Sequence, residues 1–150
     1  MRYGFGVLAA VVVMVATGVA GAADDVGRVK VAKGAVSIER SGARVPATVG
    51  MKLQEGDVVV TGRDGSAGVT FNDDSLLSVG PDSVLAIDRF AFDSTTHAGR
   101  FDTSLRQGTL AAVSGKIAKQ SPEAMKVRTP STILGVRGTE FVVRAAPVTP

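Results

Sequence analysis

Three sets of residues in this 150-residue chain have the types and spacing to do chemistry. The first is rich in oxygen: Asn72-Asp73-Asp74, with Asp64 one turn earlier and Asp82 one turn later. A calcium loop takes such ligands at alternate positions and closes on a bidentate carboxylate. That spacing is absent, and Asx side chains that bond the local backbone at strand turns account for these residues, so no metal is expected. The second is His97, the sole histidine and so the base that any Ser-His-Asp triad would need. It lies in the polar run Asp93-Ser94-Thr95-Thr96-His97-Ala98-Gly99-Arg100, and the chain has no Gly-x-Ser-x-Gly elbow. A solvent-exposed histidine is therefore expected. The third is Arg137, set between Gly135 and Gly138 and following Ile133, Leu134 and Val136. Such an arginine can contact a ligand or a partner. It can also spend its five donors on carbonyls or an acid at a tight corner, and this structural role is the favoured one.

Other chemistries lack their residues. Every acid sits in a turn or on an alternating strand, which a solvated face explains better than a glycosidase pair. Gly65-Ser66-Ala67-Gly68 has neither the lysine nor the following helix of a phosphate loop. Without cysteine there are no disulfides, thiolate metal sites or cysteine nucleophiles. The chain is not expected to be an enzyme, and no cofactor is expected.

The elements that must position these residues are strands. Hydrophobicity alternates with a period of two almost everywhere after residue 25, in short β-branched runs bounded by Gly, Asp, Ser or Pro. The middle carries a weak repeat of a turn and a strand. Asp64-Gly65-Ser66, Asp73-Asp74-Ser75 and Pro81-Asp82-Ser83 each precede one apolar run. This predicts an all-β single domain, either a sandwich or barrel of reversing hairpins or a β-solenoid of stacked rungs. Residues 101–113 read as two short strands meeting near Gln107-Gly108. Residues 114–126 read as the longest polar excursion and a mobile loop, with one helical turn at most, where Ser121 caps and Pro122 takes the first helical position. At the end, Pro130 pushes Thr129 toward extended geometry. Gly135 and Gly138 provide positive φ or close backbone approach. Glu140, Val142 and Arg144 then point one way while Thr139, Phe141 and Val143 point the other.

Residues 1–22 read as a secretory signal. Arg2 supplies the charged start, residues 7–16 the apolar stretch, and Ala20-Gly21-Ala22 a small-x-small cleavage site. The rival is an uncleaved membrane anchor, since residues 4–23 carry no charge and about twenty apolar residues can cross a bilayer. Removing residues 1–22 leaves 16 basic and 14 acidic residues. The high pI thus reflects a small excess of cations on a mixed surface rather than a basic patch, and nucleic acid is not an expected partner. The domain is expected over residues 23–144, with 145–150 a flexible tail.

The motifs taken in order resemble the FecR domain family. They are Gly34-x-Val36; Leu53-x-x-Gly56-Asp57-x-Val59-x-Thr61; Gly62-x-Asp64-Gly65-x-Ala67; Asp74-Ser75 leading to Leu77 and Gly80-Pro81; Gly108-x-Leu110; and Thr129-Pro130 through Val136-Arg137-Gly138-Thr139-x-Phe141-x-Val143. The resemblance spans residues 27–143. It implies an all-β periplasmic or extracytoplasmic domain. In the founding members this domain belongs to inner-membrane regulators of iron uptake, whose cytoplasmic segment binds a sigma factor. Here only Met1 to Tyr3 precede the apolar segment, so the domain rather than the pathway is expected to carry over. Gly56, Asp57, Thr61, Thr129, Pro130, Gly135, Arg137, Gly138, Thr139 and Phe141 are the motif positions expected to matter structurally.

The leading expectation is a non-catalytic exported module that binds an envelope partner, protein or glycan, through exposed strand edges. The alternative is an accessory in extracytoplasmic signal transduction acting with a separate transmembrane regulator.

Overall fold

The computed structural model describes residues 25–136 and 140–147. The apolar runs become strands β1 (Asp25–Lys33), β2 (Val36–Arg40), β3 (Ala43–Pro46), β4 (Lys52–Gln54), β5 (Val58–Thr61), β6 (Ser66–Phe71), β7 (Leu76–Val79), β8 (Val84–Phe92) and β9 (Gly99–Val113). A short helix α1 (Lys116–Gln120) and a 3-10 turn (Pro122–Ala124) lead into β10 (Met125–Arg128), β11 (Ile133–Gly135) and β12 (Glu140–Ala145). The strands form one sheet that curls into a half-barrel, in the order β3-β2-β5-β8-β9-β7-β6-β1-β4, with β10 and β12 also on β9 and β11 on β10. The fold is all-β, as the alternation predicts.

Each repeat turn feeds one strand, and the strands reverse. β6 pairs antiparallel with β7, and both β7 and β8 pair antiparallel with β9. Stacked parallel rungs, the solenoid alternative, are therefore not what the repeat builds. Burial follows the pleat: β6 buries Ala67, Val69 and Phe71, and β7 buries Leu77 and Val79.

β9 is one strand of 15 residues rather than the two short ones expected. Its first part pairs with β8 and its last part with β7 and β12. The expected break corresponds to a bend at Gly108, whose φ of 97° suits glycine. A methyl group there would lie 2.5 Å from the Ser83 Cα. Because β9 passes from one half of the sheet to the other, both halves face a single core. Phe71 of β6 meets Phe101 of β9 edge-on at 4.6 Å and Phe90 of β8 at 5.6 Å between ring centres. Such contacts add about 0.5–1.5 kcal/mol beyond the area buried.

The segment 114–126 is not the loop expected. Ile117 and Ala118 of α1 are buried, and Met125 is fully so. The 3-10 turn does place Pro122 at its start after Ser121, but the Ser121 hydroxyl donates to Glu123 instead of capping the backbone. A five-residue helix with two buried apolar residues leaves too few periods for a helical pattern to show in sequence. β12 alternates as expected: Phe141 and Val143 face inward, while Glu140, Val142 and Arg144 face out. It runs through Ala145, which pairs with Gly108. Among the described residues no helix is long and apolar enough to cross a membrane.

Candidate functional site

The described motif residues do not converge on one spot, and their bonds run within the fold. Gly56, at φ 89°, turns the chain between β4 and β5. Asp57 follows, only 1% exposed. Its carboxylate accepts from Arg40 Nε at 2.9 Å, Arg40 Nη2 at 2.7 Å and the Gln54 N–H at 2.8 Å. The bond to Asp57 is the main reason that the Arg40 guanidinium holds its proton more tightly than usual, with burial opposing it. At the far end of β5, Thr61 Oγ1 donates to the Gly80 carbonyl at 2.6 Å and accepts from the Ser83 N–H at 2.9 Å. Thr129 lies in the β10–β11 turn, where its hydroxyl accepts the Thr132 N–H, and Pro130 is exposed beside it. Phe141 packs on the core. Gly135 does not need to be glycine for the reason expected. It has no positive φ, and a Cβ there would meet nothing among the described residues. Arg137, Gly138 and Thr139 lie outside the described residues.

The acidic turns are likewise committed. Asp73 is buried, and its carboxylate accepts from the Ser75 N–H and hydroxyl and from the Ile117 N–H. Asp74 pairs with Lys116 at 3.0 Å. Two of the three repeat serines do the same job: the Gly115 N–H donates to Ser75 Oγ and the Thr109 N–H to Ser83 Oγ, each at 3.0 Å. Among the described residues no three metal-ligating side chains are grouped to hold an ion. His97 closes the β8–β9 hairpin at φ 60°, its ring half-buried and stacked on Phe92 at 6.1 Å instead of freely exposed. The neighbouring Asp93 carboxylate accepts from the Thr95 and Thr96 N–H groups, and these bonds lower its pKa.

Two surface features stand out. The first is the edge formed by β11. Among the described residues it pairs on one side only, with β10, and it exposes Ile133 (59%) and Leu134. Val142 on β12 is 65% exposed. The second is an open recess of about 470 Å³ on the outer face of β8, β9 and β10, lined by Asp88, Arg89, Arg100, Asp102, Ser104 and Arg128. Asp88 is bonded to the Ser104 hydroxyl, and Asp102 Oδ2 lies 3.4 Å from Arg100 Nε. The cations are thus not spread as evenly as composition suggests. The alternation Arg100-x-Asp102-x-Ser104-x-Arg106 signals one polar strand face, but the parallel register that brings Arg128 opposite Ser104 is not visible in sequence.

A family model described as FecR protein matches residues 57–149, more than half of the chain. No curated protein and no solved structure gives a significant match.

Proposed function

Because the chain belongs to the FecR family, which takes part in extracytoplasmic signal transduction, we propose that it is a non-catalytic exported module that binds an envelope partner. One observation carries this reading. Among the described residues β11 has an unpaired edge whose backbone can accept a further strand, with Ile133 and Leu134 ready to be covered. That favours an extended protein segment over a glycan at this edge. Export rests on the charged start, apolar stretch and Ala20-Gly21-Ala22 site of residues 1–22, which releases a periplasmic or extracytoplasmic domain over 23–144. A retained segment would instead anchor it to the membrane. The described motif residues serve the fold: Gly56, Asp57 and Thr61 tie β5 to its neighbours.

The test is a photocrosslinker placed at Ile133 in intact cells, with one at Val45 on the opposite edge strand β3 as control. A crosslink from position 133 to a defined segment of an envelope protein, absent from position 45, supports the reading. Its absence in both overturns it. The family match favours a second reading, an accessory to a separately encoded transmembrane regulator. Deletion that leaves every sigma-factor regulon unchanged would remove that one.

A further inference from the structure

We propose that the recess on β8, β9 and β10 binds a hydroxylated carboxylate of the uronic-acid type, with Arg89 and Arg128 taking the carboxylate and Asp102 Oδ1 accepting from a hydroxyl.

Asp102 carries the argument. It sits on the outward face of β9, between inward-facing Phe101 and Thr103, yet it is only 6% exposed. Its Oδ2 faces Arg100, while its Oδ1 is buried with no hydrogen-bond partner among the described residues. Buried carboxylate oxygens almost always have donors, and an orphan one calls for a specific explanation. A missing donor supplied by a ligand is one. The cations around it are also in excess. Arg89 is the register partner of Asp102 on β8 and Arg128 that of Ser104 on β10. Among the described residues neither makes a side-chain hydrogen bond or an ion pair, although both line the recess.

The charge count selects the ligand. Three arginines against two aspartates leave one positive charge over, which a single carboxylate balances and a phosphate dianion overshoots. Guanidinium forks match a planar carboxylate with two parallel bonds. The same arginines repel a metal ion or an ammonium group, so the donor that Oδ1 lacks is best provided by a neutral hydroxyl. A carboxylate and hydroxyls on one rigid ring describe a sugar acid. A recess of about 470 Å³ falls within the usual range for small ligands.

The proposal does not depend on the β11 edge. It needs only the purified protein and a soluble ligand, so either idea can fail alone. The experiment is a calorimetric titration with oligogalacturonate, monomeric galacturonate, a neutral galacto-oligosaccharide and sulfate. Saturable binding of a galacturonate species, with none of the neutral sugar and no competition by sulfate, is the expected result. Binding of the monomer as well as the oligomer identifies a free sugar acid, and binding of the oligomer alone identifies a polysaccharide. Arg128→Gln and Arg89→Gln, both at exposed positions, should each weaken binding about tenfold or more, as loss of a charge-assisted bond does. Asp102→Asn should erode the preference for galacturonate over acetate while the thermal melt is kept. Absence of galacturonate binding, equal binding of sulfate, or binding that survives both arginine changes overturns the proposal.

Discussion

Arg40 holds Asp57 with two nitrogens, Nε at 2.9 Å and Nη2 at 2.7 Å, and so joins the end of β2 to the start of β5. The same carboxylate accepts the Gln54 N–H, and the Asp57 carbonyl accepts the Ile87 N–H. Asp57→Ala leaves the Gln54 donor and the guanidinium without their partner, at a cost of about 1–3 kcal/mol. Asp57→Asn, which keeps an acceptor for Gln54, should cost less. Urea unfolding of both variants and of Arg40→Ala measures this. A cycle in which the Arg40 and Asp57 effects simply add would show that the pair contributes no coupling.

Gly108 and Gly135 make a matched pair. At Gly108 a side chain meets Ser83 and must adopt a φ of 97°, so Gly108→Ala should cost about 2 kcal/mol or more. At Gly135 the space is open among the described residues and φ is not positive, so Gly135→Ala should change stability by no more than about 0.5 kcal/mol. Thermal melts of the two proteins test the contrast, and equal effects would refute it.

Asp93 provides a pH test. Its pKa is lowered from the ordinary 3.8 by the Thr95 and Thr96 N–H groups. A depressed folded pKa means that the carboxylate stabilises the hairpin above the unfolded value and loses that effect as pH falls through the folded one. NMR titration should therefore show Asp93 with a midpoint below 3.8, and the Thr95 and Thr96 amide shifts should follow it. Asp93→Asn should abolish the shared titration and leave these amides flat with pH.

The β11 edge can be blocked without harm to the core. Ile133→Lys changes a side chain that is 59% exposed, so stability should move by about 0.5 kcal/mol or less, while Leu134→Glu, at 37% exposure opposite buried Val127, should cost more. Crosslinking from this edge should nevertheless fall to background. If either variant still captures the same partner, docking occurs elsewhere.

Much of this architecture can be read from the chain because the alternation is strong. The turn residues at 64–66, 73–75 and 81–83 mark strand starts, and the inward set Phe141 and Val143 is clear. Gln107-Gly108 signals a real event, but a bend and a chain break look alike when only the glycine is seen. Helix α1 escapes because five residues hold little more than one turn. The recess escapes for a different reason. Arg89, Asp102 and Arg128 are far apart in sequence and meet only through the register of three strands. Asp57 and Thr61 are visible as a motif, yet their partners Arg40 and Ser83 carry no local signal that would join them.

β9 hydrogen-bonds to β7, β8, β10 and β12, and so belongs to both halves of the sheet. Neither half can open at its centre without stripping partners from this strand. The molecule should accordingly melt as one cooperative unit, with the slowest amide hydrogen exchange along residues 101–112 and exchange there occurring only through global unfolding. Outer strands such as β3 and β11 can fray in isolation, which leaves the proposed docking edge able to adjust while the centre stays closed.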